Sequence, residues 1–212
     1  MKLPIPIYLA VEDELSEWVV RCALRKRPTD YAVGAVFSQG GFGYLKRQAP
    51  AFNNAAKRCP FLLLTDLDKC PCPPQLIEDW LGRPKHPHFL LRVAVREVES
   101  WLLGDPTGLK TFLGLRMPVV LPNPEQLADP KQELLKLALN SPRRAMRDAL
   151  VWKDESSGRL FQGPDYNATL ARFVAKEWDI AGARNACRSL DRLFLALERI
   201  EAEFASNHAR GL

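Results

Sequence analysis

The sequence lacks several features that would place it in a familiar class. Its apolar runs are all shorter than the roughly 18 to 20 residues that a membrane-spanning helix needs. It contains no GxSxG elbow, no P-loop and no dinucleotide fingerprint. These absences argue against a membrane protein, a serine hydrolase and a P-loop ATPase, and we expect a cytoplasmic protein.

Cysteine and histidine are also scarce. The five cysteines are an odd number, and Cys22 and Cys187 fall at apolar positions of predicted helices, where a reduced thiol behaves as a small hydrophobe. A disulfide framework is therefore not expected. Four residues of zinc-ligand type lie in the segments CPC and HPH: Cys70, Cys72, His86 and His88. Because the spacing departs from the usual CxxC, we keep zinc only as an alternative.

The charge balance is mildly basic. The formal net charge is +5 and the pI is about 9.0, which favours contact with phosphates. An excess this small is common in proteins that never bind nucleic acid. Charge alone therefore supports a nucleic-acid partner only weakly.

The first half of the chain alternates strand and helix patterns at short spacing. We predict strands at residues 5–11, 31–37, 60–66 and 88–95, and helices at residues 14–27, from residue 44 and at residues 75–81. This βαβαβαβ order predicts an α/β fold, in which helices flank a central parallel four-stranded sheet.

The second half has a helical periodicity. A helix is predicted to close near Gly104, and residues 117–130 are proline-rich and predict a loop. Further helices are predicted at residues 131–139 and 143–150, and one long amphipathic helix at residues 183–204. We therefore predict an α/β core at residues 1–104 and a mainly helical extension at residues 105–212, packed on the core.

Acidic residues follow two of the predicted strands. Glu12 follows the first strand, and Asp66 and Asp68 follow the third in LLLTDLD. The carboxyl edge of a parallel sheet is where ligands bind, and in an extended chain residues i and i+2 point to the same side. Clustered carboxylates repel one another unless a cation neutralises them. Hard oxygen ligands of this kind predict a Mg²⁺ or Mn²⁺ site. Isolated DxD sequences also occur as solvated loops and helix caps.

Further acids leave alternatives open. Glu14 is an alternative to Glu12, although it could only cap the following helix. Glu97 and Glu99 follow the fourth strand, and we favour Glu97 as the further metal ligand. A charged first turn that stabilises the helix dipole explains either residue almost as well.

Basic residues near the predicted sheet edge could bind substrate phosphates, because guanidinium groups bind such oxygens in pairs. The candidates are Lys46, Arg47, Arg92 and Arg96. Ordinary surface charge is the alternative for all four, and for Arg96 a salt bridge to a neighbouring acid. The glycine-rich segment at residues 38–43 is interpreted as a turn that contacts substrate.

Several motifs carry a resemblance to a known superfamily. The runs VEDELSE, GGFGYLK, LLLTDLD, RVAVREVESWLLGD and GPDYN resemble an uncharacterised group of Toprim-like proteins related to the OLD-type nucleases of phage defence. The resemblance implies a Toprim-like Rossmannoid core and metal-dependent phosphodiester chemistry. It also implies that Glu12 acts as general base or metal ligand, with Asp66 and Asp68 as ligands.

The leading functional prediction is a Mg²⁺- or Mn²⁺-dependent nuclease acting on DNA or RNA. Because the sequence has no P-loop, any energy-driven activity would need an ATPase partner encoded nearby, as in two-component phage-defence or toxin-like systems. The alternative is a non-catalytic Toprim-like module that binds protein or nucleic acid. Nucleotidyl transfer ranks last, since no nucleotide-binding surface is identifiable.

Overall fold

The computed structural model describes residues 3–38 and 40–210, with side chains through residue 206. The first half contains β1 (Ile5–Ala10), α1 (Glu14–Arg25), β2 (Tyr31–Phe37), α2 (Gly41–Ala55), β3 (Phe61–Asp66), α3 (Pro73–Leu81) and β4 (Phe89–Ala94). The second half contains α4 (Val98–Leu103), α5 (Pro106–Leu113), a short 3₁₀ helix (Pro124–Gln126), α6 (Pro130–Leu139), α7 (Arg144–Leu150), β5 (Val151–Lys153), β6 (Leu160–Gln162), α8 (Tyr166–Lys176), α9 (Ile180–Ala186) and α10 (Arg188–Arg210).

The chain forms two compact units. The sheet unit comprises Met1–Ala94 and Ser189–Leu212, and the helical unit comprises Val95–Arg188. The predicted boundary at residue 104 differs from this division, because α10 belongs with the sheet unit and the chain segment around α4 with the helical unit. Among the described residues, no helix is both long and apolar enough to cross a membrane.

The predicted α/β class is confirmed in the sheet unit. Four parallel strands pair in the order β2-β1-β3-β4, with helices flanking the sheet. β3 is buried from Phe61 to Thr65, as expected for a continuously apolar central strand. Strand order reverses between β1 and β3, so a crevice for ligands is expected where these two strands end.

The glycine segment differs from its prediction. Gly40 has φ 100° and directly precedes α2, which begins at Gly41 and not near Tyr44. Only glycine adopts such a φ without strain. Pro50 lies inside α2, and the helix continues past it to Ala55.

The predicted long C-terminal helix is wrong as a single element. Cys187 has an extended backbone, with φ −120° and ψ 102°, and separates α9 from α10. The prediction also missed α8 and the antiparallel pair β5–β6. In the sheet unit, α10 is fixed by Arg27, whose guanidinium donates to Glu201 at 2.9 Å through both Nε and Nη2.

Candidate active site

Glu12 lies at the strand reversal. It follows β1, whose residue Ala10 is in register with Leu63 of β3. The backbone N–H of Asp66 donates to Glu12 Oε1 at 2.9 Å, and the Thr65 hydroxyl donates to the same oxygen. The predicted approach of the first strand's acid to the DxD segment therefore occurs, and it is made by two hydrogen bonds from the end of β3.

The neighbouring acids Asp13 and Glu14 have different positions. Asp13 is the N-cap of α1, because its Oδ1 accepts from the backbone N–H of Ser16 at 2.8 Å. Glu14 is the first residue of that helix and is exposed. Among the three consecutive acids, Glu12 is the one bonded to β3, which favours it over the alternative Glu14.

The environment of Glu12 favours its neutral form. Burial is the largest cause and raises the pKa of this carboxyl above its ordinary value. The hydrogen bonds from Thr65 and Asp66 lower the pKa, and the negative charges of Asp68 and Asp13 raise it again. A cation beside Glu12 and Asp68 would relieve this repulsion.

Asp68 reaches this neighbourhood by a route that differs from the prediction. β3 ends at Asp66, the N–H of buried Leu67 donates to the Ala94 carbonyl at 2.9 Å, and Asp68 adopts a left-handed φ of 48°. The extended geometry predicted for Asp66 through Asp68 is therefore wrong. Aspartate tolerates the left-handed region better than most residues, which explains how the chain turns here.

The carboxylates at this sheet edge would supply only part of a cation's coordination shell. Within the described ranges, no group of three or more His, Cys, Asp or Glu side chains is placed to hold a metal ion. Mg²⁺, however, commonly keeps several waters and binds one or two protein carboxylates plus substrate phosphates. Glu12 and Asp68 supply donor chemistry of that kind, so the residues fit a hydrated cation and not a fully protein-ligated one.

Glu97 and Glu99 lie in the helical unit. Glu97 is the extended N-cap residue of α4 and accepts from the backbone N–H of Lys131 at 3.1 Å. Glu99 is 4% exposed; its Oε1 accepts from the Tyr166 hydroxyl at 3.0 Å and lies 3.5 Å from Lys131 Nζ. Burial, then the charge of Glu99, raises the pKa of Glu97 to about 7.

Lys131 and Tyr166 were not predicted as partners of these glutamates. Tyr166 lies in the GPDYN motif, so the motif was visible in the sequence but its contact was not. The contacts give Glu99 a structural position inside the helical unit. Glu97 as a metal ligand stays a prediction.

The predicted phosphate-binding residues lie on different elements. Lys46 and Arg47 are exposed on α2. Arg92 lies in β4, and its guanidinium donates to the carbonyls of Leu91 and Arg192. Arg96 belongs to the helical unit and has a left-handed φ of 66°, a conformation that costs a long side chain about 1–2 kcal/mol.

The residues of the zinc alternative make other contacts. His88 Nε2 lies 2.9 Å from Glu203 Oε1, and the His88 backbone N–H donates to His86 Nδ1 at 3.2 Å. Cys72 is the exposed N-cap residue of α3. In the part of the chain that the structure describes, these residues do not form a group of three zinc ligands.

Comparison with known proteins gives one match. The sequence profile of a family described as "Domain of unknown function (DUF4276)" matches residues 11–198. Comparisons with curated proteins and with solved structures found no match. The matched range contains every residue of the acidic cluster formed by Glu12, Asp66 and Asp68.

Proposed function

The chain belongs to the DUF4276 family, a domain of unknown function, and from its acidic cluster we propose a Mg²⁺- or Mn²⁺-dependent nuclease that cleaves nucleic-acid phosphodiesters. One observation carries the proposal. The Glu12 carboxylate after β1 is bonded to Thr65 and Asp66 at the end of β3, with the charge of Asp68 close enough to raise its pKa. This places repelling carboxylates at the strand reversal of a parallel sheet, where ligands bind in such folds.

The residues have distinct roles in this proposal. A bound divalent cation would lower the pKa of a water and neutralise charge developing on the phosphoryl group. Glu12 and Asp68 would hold it, with Asp66 as a further oxygen donor. The hydrogen bonds from Thr65 and Asp66 both go to Glu12 Oε1. They orient the carboxylate so that Oε2 is the oxygen that binds the cation or accepts a proton from the attacking water.

The resemblance to Toprim proteins supports the same chemistry, and we extend the proposal on that ground. The sequence contains no P-loop, so nucleotide-driven activity would require an ATPase supplied in trans. An adjacent ATPase gene would support a two-component phage-defence or toxin-like system.

A second candidate is a non-catalytic Toprim-like module that binds protein or nucleic acid. The observation that favours it is that, in the described parts of the chain, no three ligand-type side chains form a metal-holding group. In this alternative the acidic cluster serves structure or regulation.

Cleavage assays with matched variants test the proposal. The purified chain is incubated with plasmid DNA and with RNA in Mg²⁺, Mn²⁺ or EDTA, beside Glu12→Gln, Asp68→Asn and the exposed control Glu14→Gln. We expect the first two variants to lose about 10²-fold or more in rate, as for loss of a general base, and the control to cleave normally. Cleavage that persists in both variants would place the chemistry elsewhere. Absence of cleavage with specific partner binding would support the module.

A further inference from the structure

Arg92 is held rigidly on β4. Every other residue of this strand is buried, whereas Arg92 is half-buried. Its Nε donates to the Leu91 carbonyl at 2.8 Å and its Nη1 to the Arg192 carbonyl of α10 at 3.2 Å. Guanidinium carries five N–H donors, so these bonds to neutral carbonyls fix the group without neutralising its charge.

Three further cations lie around Arg92, all within the sheet unit. Arg192 and Arg199 are exposed on α10, and Lys85 Nζ donates to the Phe89 carbonyl at 3.0 Å. Burial lowers the pKa of Arg92 to about 10, with further lowering by Arg199 and Arg192. Burial, Arg92 and Arg199 lower the pKa of Lys85. These four residues, which we term the basic cluster, therefore repel one another.

Three carboxylates of α10 bind other partners. Glu198 and Glu201 both form ion pairs with Arg27, and Glu203 contacts His88. Among the ion pairs of the described residues, none joins Arg192 or Arg199 to a carboxylate. Arg92 and Lys85 are thus partly buried beside the exposed like charges of Arg192 and Arg199, and no described carboxylate pairs with these four residues.

The dimensions of the cluster fit a chain of phosphates better than one phosphate. Arg192 and Arg199 are seven residues apart, which places them on one helix face about 10 Å apart. Arg92 of β4 is in register with Leu64 of the neighbouring strand β3, and Leu64 precedes Asp66 by two residues. The Arg92 backbone is therefore separated from that of Asp66 by one strand spacing and two residues along the strand. This corresponds to roughly 8 Å, a short distance along a bound strand.

We infer that the basic cluster binds the phosphate backbone of the nucleic-acid strand whose scissile bond lies at the acidic cluster. Phosphates would balance the four repelling cations, and the guanidinium groups would bind phosphate oxygens in pairs. The cluster positions substrate and takes no part in bond cleavage. This inference rests on the proposed nuclease function and names the surface that function would use.

Binding measured without cleavage tests the inference. Fluorescence anisotropy in EDTA is recorded with labelled 20-nucleotide DNA and RNA, with inorganic phosphate and a dinucleotide as competitors. The double variant Arg192→Gln/Arg199→Gln is compared with Lys57→Gln/Arg58→Gln, which removes the same charge from exposed positions of the sheet unit. We expect the first variant to bind about tenfold or more weakly, and the slope of log affinity against log salt concentration to become shallower by about two. The affinity of the control variant should change by less than about threefold.

Two results would overturn the inference. Equal weakening in both double variants would mean that only overall charge matters, and full competition by inorganic phosphate or the dinucleotide would mean a single-anion site. Failure of the nuclease proposal gives a different pattern. Glu12→Gln would bind normally while the wild-type protein cleaves nothing, so the cluster would remain a nucleic-acid surface. Conversely, normal cleavage with an unchanged KM in Arg192→Gln/Arg199→Gln would refute the cluster and leave the nuclease intact.

Discussion

The hydroxyl of Thr65 can be removed to test how Glu12 is held. Thr65 is 1% exposed and its hydroxyl donates to Glu12 Oε1. Thr65→Val removes this hydrogen bond and keeps the one from the backbone N–H of Asp66. A hydrogen bond to a charged group contributes about 1.5–3 kcal/mol. Because this hydrogen bond lowers the pKa of Glu12, its loss should raise the already elevated pKa further.

The sign of the stability change follows from the same pKa. Because the folded pKa of Glu12 lies above its unfolded value, the folded state retains its proton to higher pH, and stability falls as pH rises through the folded pKa. Thr65→Val should therefore be destabilised by about 1.5–3 kcal/mol near pH 8 and much less near pH 4, where Glu12 is protonated in both proteins.

Carboxyl-detected NMR titration gives the pKa of Glu12, and urea unfolding at the two pH values gives the stability. Thr65→Ser is the matched control, because it keeps the hydroxyl and should titrate like wild type. An unchanged or lower pKa of Glu12 in Thr65→Val, or a stability loss of equal size at both pH values, would contradict this role of the Thr65 hydroxyl.

Three further predictions concern stability. Glu201→Gln should lower the free energy of unfolding by about 2 kcal/mol, because it breaks a bidentate ion pair whose side chains are only 10% exposed. Glu198→Gln should lower it by less than about 1 kcal/mol, because the Glu198 side chain is 41% exposed. Equal losses of the two variants in urea unfolding would contradict this prediction. Gly40→Ala should lower the stability of the protein by about 1–2 kcal/mol, because residue 40 has a φ of 100°. Gly43→Ala is the control, because a Cβ there meets open space, and its thermal melt should show unchanged or higher stability. The pKa of Glu97 is raised to about 7, so the free energy of unfolding should decline between pH 4.5 and 7 by at most about 3 kcal/mol. Glu97→Gln should remove this decline from a plot of Tm against pH. The same pH dependence in the variant and the wild type would contradict the prediction.

Much of the sheet unit was predictable because its signals are local. The run PFLLLTD is apolar without alternation and forms the buried strand β3. The helix pattern after Glu12 also matches α1, which Asp13 caps. Acids that follow parallel strands were expected at one edge of the sheet, whereas the adjacency of β1 and β3, which brings Glu12 to Asp66, is seen only in the structure.

The remainder depends on contacts that no local pattern contains. The left-handed turn at Asp68 depends on Leu67 bonding to Ala94, a residue of another strand. The apolar periodicity continues across Cys187, so the break before α10 left no gap in the pattern. The strands β5 and β6 have three residues each, too few to show alternation. The basic cluster joins Arg92 to Arg192, which is 100 positions away.

The helix α10 has a consequence for the order in which the protein matures. Its residue Glu201 pairs with Arg27, 174 positions earlier in the chain, so the sheet waits for its closing helix while the whole helical unit is translated. The sheet is complete only once β4 is made, and the roughly 107 residues from Ala94 to Glu201 take about 5–21 s at about 5–20 residues per second. We expect the nascent sheet to expose apolar surface throughout that time, which makes synthesis itself the stage at which aggregation competes most strongly with folding.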